Sequence, residues 1–115
     1  MSVTVYGIPN CDSVRKARAW LSAHGVEDRF HDYKKLGLDR VWLARWADAA
    51  GWEALLNRSG TTFRGLPEQD RADIGLEGAL ALMAAHPSLI KRPVVEHRDG
   101  LLVGFKPETY QRAFD

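Results

Sequence analysis

The sequence holds one cysteine, Cys11, in 115 residues. A single thiol cannot close an internal disulfide, which excludes a secreted scaffold stapled by bridges and means that any redox chemistry borrows its second thiol from another molecule. An excess of charge is also missing, since 16 lysines and arginines face 15 aspartates and glutamates. That balance offers no broad cationic face to nucleic acid or to an anionic membrane. No apolar run approaches the roughly 18 residues of a membrane helix, and the first residues lack a charged start followed by an apolar segment, so a cytoplasmic location is expected. His24, His31, His86 and His97 share no ligand spacing with Cys11 or with one another, so no metal is expected. Gly7, Gly25 and Gly51 stand alone, and no phosphate-cradling glycine loop is present.

The chain has the size of one domain, and 45% hydrophobic residues are enough for a packed core. Residues 3–6 alternate β-favouring side chains and stop at Gly7 and Pro9, the pattern of a short strand entering a turn. Val14, Ala17, Trp20 and Leu21 then recur at helical steps ahead of Gly25, which predicts a helix over 12–24. Residues 29–33 read as a second strand, parallel to the first through the helical crossover. Asp39 is a plausible N-cap for a helix carrying Val41, Trp42, Leu43 and Trp46, and another helical turn is expected over 52–56. The loop formers of residues 57–67 separate these from a helical block over 68–85 with a weak spot at Ile74 and Gly75. Strands over 94–96 and 101–104 flank an Asp99-Gly100 hairpin turn, and Pro107 opens a last helix to Phe114. The order is βαβ, a helical block, then ββα. The tryptophans at 20, 42, 46 and 52 fall mostly on apolar helical faces and read as core.

Cys11 stands where the first strand has turned into the first helix. Unpaired backbone N–H groups and the positive end of the helix dipole favour a thiolate there, and Arg15 or Lys16 one turn on would add to the effect. A free cysteine is also among the most often buried residue types, so a small apolar filler is an equal reading of position alone. Arg15 equally suits a solvated charge on the polar side of the helix. Asn10 and Asp12 beside the thiol suit turn and capping roles, and an Asp12 carboxylate competes with the thiolate for the helix field.

The motifs Tyr6-Gly7-Ile8-Pro9-Asn10-Cys11, Phe30-His31-Asp32-Tyr33, Leu55-Leu56-Asn57, Gly60-Thr61-Thr62, Ile90-Lys91-Arg92-Pro93 and Gly104-Phe105 run in order along the chain. Together they resemble the ArsC/Spx/YffB family, and most closely its YffB branch. The resemblance implies an α/β thioredoxin-like (glutaredoxin-like) fold with a mixed sheet, one domain over residues 1–115, and a helical insertion at about 39–86 between the βαβ and ββα halves. It also implies a cis Arg92–Pro93 bond beside the thiol.

Within that family, Cys11 matches the nucleophile of the arsenate reductases, and Arg92 matches the arginine before the proline. Their first oxyanion-binding arginine falls near Asn57, with Arg58 one residue away, and their third falls on Lys106. A lysine offers a point charge without the two-pronged contact of a guanidinium. Their histidine after the first-strand tyrosine is Gly7 here, and the second cysteine of the Spx redox switch is Val14. The YffB branch implies a glutathione-dependent thiol reductase with Cys11 as nucleophile and with Asn10, Arg15, Arg58, Arg92, Pro93 and Lys106 as the residues facing glutathione or substrate. Glutathione is then a cosubstrate rather than a bound cofactor, and the substrate is a disulfide, mixed disulfide or oxyanion. The alternatives are a glutaredoxin-coupled arsenate reductase and an Spx-like or redox-inert protein-binding regulator. A monomer is expected, because a small reductase has to expose its thiol.

Overall fold

A computed structural model describes residues 2–115. Two compact units emerge, one running to Gly37 and resuming over Arg92–Asp115, the other comprising Leu38–Lys91. The first unit holds β1 (Ser2–Gly7), α1 (Asp12–Ala23), β2 (Glu27–Asp32), α2 (Tyr33–Leu36), β3 (Val94–His97), β4 (Gly100–Val103) and α8 (Pro107–Phe114). Its sheet has the order β2-β1-β3-β4, with β1 parallel to β2 and antiparallel to β3, and β4 antiparallel to β3. This is the thioredoxin-like arrangement of a βαβ half joined to a ββα half.

Beta-branched and aromatic residues put β1 in the middle of the sheet, where Val3, Val5 and Tyr6 are buried. Helix α1 covers it with Val14, Ala17 and Leu21, the three- and four-residue spacing that lays one apolar stripe inward. Val95, Leu102 and Tyr110 complete the same cluster from the hairpin and α8. Trp20 is only partly buried, stacked on His24 with ring centroids 3.7 Å apart.

The second unit holds α3 (Arg40–Ala50), α4 (Trp52–Leu55), α5 (Thr61–Arg64), α6 (Glu68–Arg71) and α7 (Leu76–Ala85), followed by a 3-10 turn at Pro87–Leu89. Asp39 caps α3, its carboxylate accepting from the Val41 N–H at 2.8 Å. Trp46 and Leu43 from α3 and Met83 from α7 are fully buried. An antiparallel bridge between Leu56 and Ile90 closes the unit, with Asn57 N–H donating to Leu89 O at 2.7 Å and Lys91 N–H to Leu55 O at 2.8 Å.

Four local expectations need correction. The second strand covers Glu27–Asp32 and stops before Tyr33, because the Asp32 carboxylate accepts from the N–H groups of Lys34 and Lys35 at 3.1 and 3.3 Å and starts α2 there. The stretch 57–67, expected as loop, contains the single turn α5. The block over 68–85 splits at its weak spot into α6 and α7. The hairpin reverses one residue earlier than expected, since His97 pairs with Gly100, which leaves Arg98 and Asp99 as the turn and makes Gly100 the first residue of β4.

Candidate active site

Parallel pairing of β1 and β2 brings Gly7 opposite Asp32. The segments leaving both strands therefore emerge at the same end of the sheet, where ligand sites of α/β folds gather. From β1 the chain turns through Ile8, Pro9 and Asn10, and Cys11 becomes the N-cap of α1 with extended φ and ψ of −119° and 127°. Its carbonyl accepts the first helical bond from Arg15 N–H at 3.0 Å. The thiol is part-exposed and unbridged.

From the other side of the sheet comes the segment that opens β3. Its Arg92–Pro93 peptide is cis, as the family resemblance implies. Pro93 is buried, and its carbonyl accepts from Gly104 N–H at 2.8 Å. Gly104 takes a φ of +79°, which a residue with a Cβ adopts poorly, and its own carbonyl accepts from Tyr110 Oη at 2.7 Å. This relay from α8 through Gly104 holds the backbone beside Arg92 in place.

The Arg92 guanidinium lies beside both the Cys11 sulfur and the Tyr33 hydroxyl. Partial burial pushes the thiol's pKa up, yet the Val14 N–H, the Arg92 hydrogen bond, the Ser13 N–H and the Arg92 charge together outweigh it and hold the thiol below its ordinary value. The sulfur does not form the short cap bond of a serine or aspartate, so the two N–H groups act as oriented dipoles rather than as a closed cap. Of the two readings of Cys11, the lowered pKa suits the thiolate.

Tyr33, the first residue of α2, reaches the same place; it closes the Phe30-His31-Asp32-Tyr33 motif but was not among the expected site residues. It is 2% exposed, and its hydroxyl is buried with no hydrogen-bond partner. Burial raises its pKa to about 12 against the opposing charge of Arg92, so it stays a neutral phenol at physiological pH. Arg92 lies close to this hydroxyl, and its charge and hydrogen-bonding oppose the effect of burial. Cys11, Arg92 and Tyr33 make a compact triad.

The remaining expected residues lie as follows. Asn10 is exposed in the turn before the thiol. Arg15 is exposed and turns to Asp12, its Nη2 lying 2.6 Å from the carboxylate, and this bond with the charges of Arg15 and Lys16 lowers the Asp12 pKa. Lys106 is exposed at the N-cap of α8. Arg58 is exposed in the helical unit, with its guanidinium 5.1 Å from the Trp52 ring centroid. Among the described residues, no cluster of three or more His, Cys, Asp or Glu side chains is suited to a metal, and no helix is long and apolar enough to cross a membrane.

Gly7 bears on the site through space. A Cβ at this position would lie 2.8 Å from Val14 Cγ2. Val14 is 1% exposed, so the α1 stripe needs a glycine on the strand beneath it. Gly7→Ala is expected to destabilise the protein by about 1–3 kcal/mol through overpacking, read as a lower urea midpoint. Adding Val14→Ala should recover part of the loss. An unchanged midpoint in Gly7→Ala would mean that the strand and helix separate freely here.

The whole of this architecture has counterparts among known proteins. The solved structure of the YFFB protein superimposes with a TM-score of 0.93 at 50% identity, covering 98% of this chain and 99% of that one. An arsenate reductase (ArsC) related protein from Brucella melitensis is 54% identical, with a TM-score of 0.78 over 100% of this chain and 96% of its own. The global transcriptional regulator Spx of Streptococcus pyogenes is 31% identical over 114 residues, 97% of this chain and 84% of that protein. The sequence model of the ArsC family matches residues 6–113, from Tyr6 in β1 to α8. With the site at the N-terminus of α1 and a thioredoxin-like sheet beneath it, the chain belongs to the ArsC family.

Proposed function

We propose that the chain is a glutathione-dependent thiol reductase that works through Cys11. The observation that carries the reading is the Arg92 guanidinium on the Cys11 sulfur at the start of α1, where the thiol's pKa is held below its ordinary value. In the first step the Cys11 thiolate attacks one sulfur of a disulfide. A new S–S bond forms, the old one breaks, and the departing sulfur leaves with the electron pair and takes a proton from solvent. Glutathione thiolate then attacks the mixed disulfide and releases Cys11 as a thiolate, which Arg92 receives. The oxidised product is a disulfide of glutathione, and no metal or bound cofactor enters. Lys106 and Arg15 are exposed cations of the same unit and suit the carboxylates of glutathione, since the surface pair of Arg15 with Asp12 is weak enough to be exchanged.

Three observations weigh against the other family activities. Val14, where a redox switch would need its second cysteine, is packed into the core. Lys106 replaces a forked cation with a point charge, and Gly7 has no room for a side chain. The reading is tested by incubating the protein with oxidised glutathione and following the intact mass. One glutathionyl group per chain, carried on Cys11 and removed by reduced glutathione, is the expected result. No adduct, together with arsenate-dependent oxidation of glutathione in the presence of glutaredoxin, would transfer the assignment to arsenate reduction.

A further inference from the structure

The chain as a whole is nearly neutral, with a formal charge of +1, yet its topology sorts charge between the two ends of the first unit. Strands β1 and β2 end together at Gly7 and Asp32, Val94 opens β3 opposite Tyr6, and Val103 closes β4 opposite Val94. The residues just outside these points therefore share the end of the sheet that carries Cys11. The cations there are Arg15, Lys16, Lys34, Lys35, Arg92 and Lys106, against the carboxylates Asp12, Asp32 and Glu108. Asp12 is already taken by Arg15, and Asp32 caps α2 through the N–H groups of Lys34 and Lys35. Among the described residues no ion pair engages Lys16, Lys34, Lys35 or Lys106, and all four are exposed. At the far end the order reverses, since Glu27, Asp28, Asp99 and Asp115 outnumber Arg98, Arg112 and the Arg18 that reaches Asp28.

We propose that Lys34 and Lys35 are specificity-determining residues that steer disulfides bearing carboxylates to Cys11, so that the acceptor in the first step belongs to this acidic class. The proposal rests on the thiol-exchange reading above and names its substrate. The Cys11 thiolate bonds to one sulfur of the disulfide, the old S–S bond breaks, and the departing thiolate leaves with the electron pair and its own carboxylate. A thiolate alone repels such a reactant. A surplus of cations around it reverses the repulsion, and solvated cations do so at a distance, acting on the rate of encounter with a strong dependence on salt. The Asp32 cap matters here because it ends β2 and starts α2, which holds both lysines at the end of the sheet where β1 turns to Cys11. Neither lysine touches a reacting atom in this scheme.

The test compares three small disulfides of similar length: 3,3′-dithiodipropionate with two carboxylates, cystamine with two ammonium groups, and uncharged 2-hydroxyethyl disulfide. The rate at which each adds to Cys11 is read by intact mass. Dividing by the rate of the uncharged reagent removes any change in thiolate fraction, and comparing variant with wild type removes the leaving-group differences between reagents. At about 10 mM salt, where charges act over about 30 Å, Lys34→Glu/Lys35→Glu is expected to lower the dithiodipropionate ratio about tenfold and to raise the cystamine ratio by a similar factor. Lys34→Gln/Lys35→Gln should move both ratios the same way by about threefold. In the wild type, about 1 M salt should lower the dithiodipropionate ratio and raise the cystamine ratio, since the field then reaches only about 3 Å. Should the glutamate pair prevent folding, the glutamine pair and the wild-type salt response decide. Ratios that do not move with the lysine charges, or a wild-type dithiodipropionate ratio that rises with salt, would overturn the proposal and leave substrate choice to short-range contacts. Failure of the wild-type protein to exchange with any of the three would instead remove the thiol-reductase reading, and this proposal with it.

Discussion

Cys11→Ser is expected to abolish mixed-disulfide formation completely while leaving the protein folded and at least as stable. The two halves of this result come from different properties of one position. Chemistry goes because the hydroxyl of serine stays protonated where the thiol ionises, and no second cysteine exists to substitute for it. Stability stays because Cys11 is the N-cap of α1, a position where serine is preferred and where the sulfur forms no closed cap bond. A rise of up to about 1 kcal/mol in unfolding free energy is the expected gain from the new cap bond. The checks are intact mass after exposure to oxidised glutathione, and the urea midpoint. An adduct on the serine protein, or its collapse in urea, would show that Cys11 is a structural residue and that the chemistry lies elsewhere.

Arg92→Leu should produce the next largest effect, and its sign follows from the balance at the sulfur. Burial pushes the thiol up, and the two contributions of Arg92 are part of what brings it down. With them gone, burial is opposed only by the Val14 and Ser13 N–H groups. The alkylation midpoint should therefore move to higher pH, and the rate at neutral pH should fall about tenfold or more, the value of a charge-assisted hydrogen bond. Arg92→Lys should fall between the two, keeping a charge and losing the fork. The same shift carries a stability slope. A thiol depressed in the folded state adds stability that is complete above the unfolded thiol's pKa and is lost as pH falls through the folded value. The leucine variant should lose much of that slope. A leucine variant with an unmoved midpoint would mean that the helix N-terminus alone activates Cys11.

Both predictions depend on features that were legible in the sequence to different degrees. The βαβ opening could be read because Val14, Ala17 and Leu21 write a helical stripe directly after a strand, and these residues are the buried ones. Asp39 could be read as a cap because its short carboxylate precedes a periodic segment, and it caps α3. The hairpin was located, but its turn was displaced by one residue: glycine after aspartate suggested a reversal centred on both, whereas the pairing of His97 with Gly100 centres it on Arg98 and Asp99. The single turn α5 has too few residues to show a period and was missed, whereas the turn expected over 52–56 forms α4.

The site was half legible. Cys11 stands out as the single thiol at a strand-to-helix turn, while Arg92 is separated from it by most of the chain and came into view through the family motif. Tyr33 escaped because four residues of a β pattern absorb a tyrosine as a strand ending. The signal that finds it is topological: a residue just past β2 emerges at the same end of a parallel pair as one just past β1. The capping power of Asp32 was the local clue that the strand had already ended.

The central claim, an activated thiol served by glutathione, is tested most directly by the pH dependence of Cys11 alkylation, measured on the unmodified protein with and without glutathione. The account predicts a midpoint below the ordinary thiol value and slower alkylation when reduced glutathione occupies the site, beyond its simple consumption of the reagent. A midpoint at or above the ordinary value, with no protection, would contradict it and make Cys11 a structural residue in a protein that keeps the fold for another purpose.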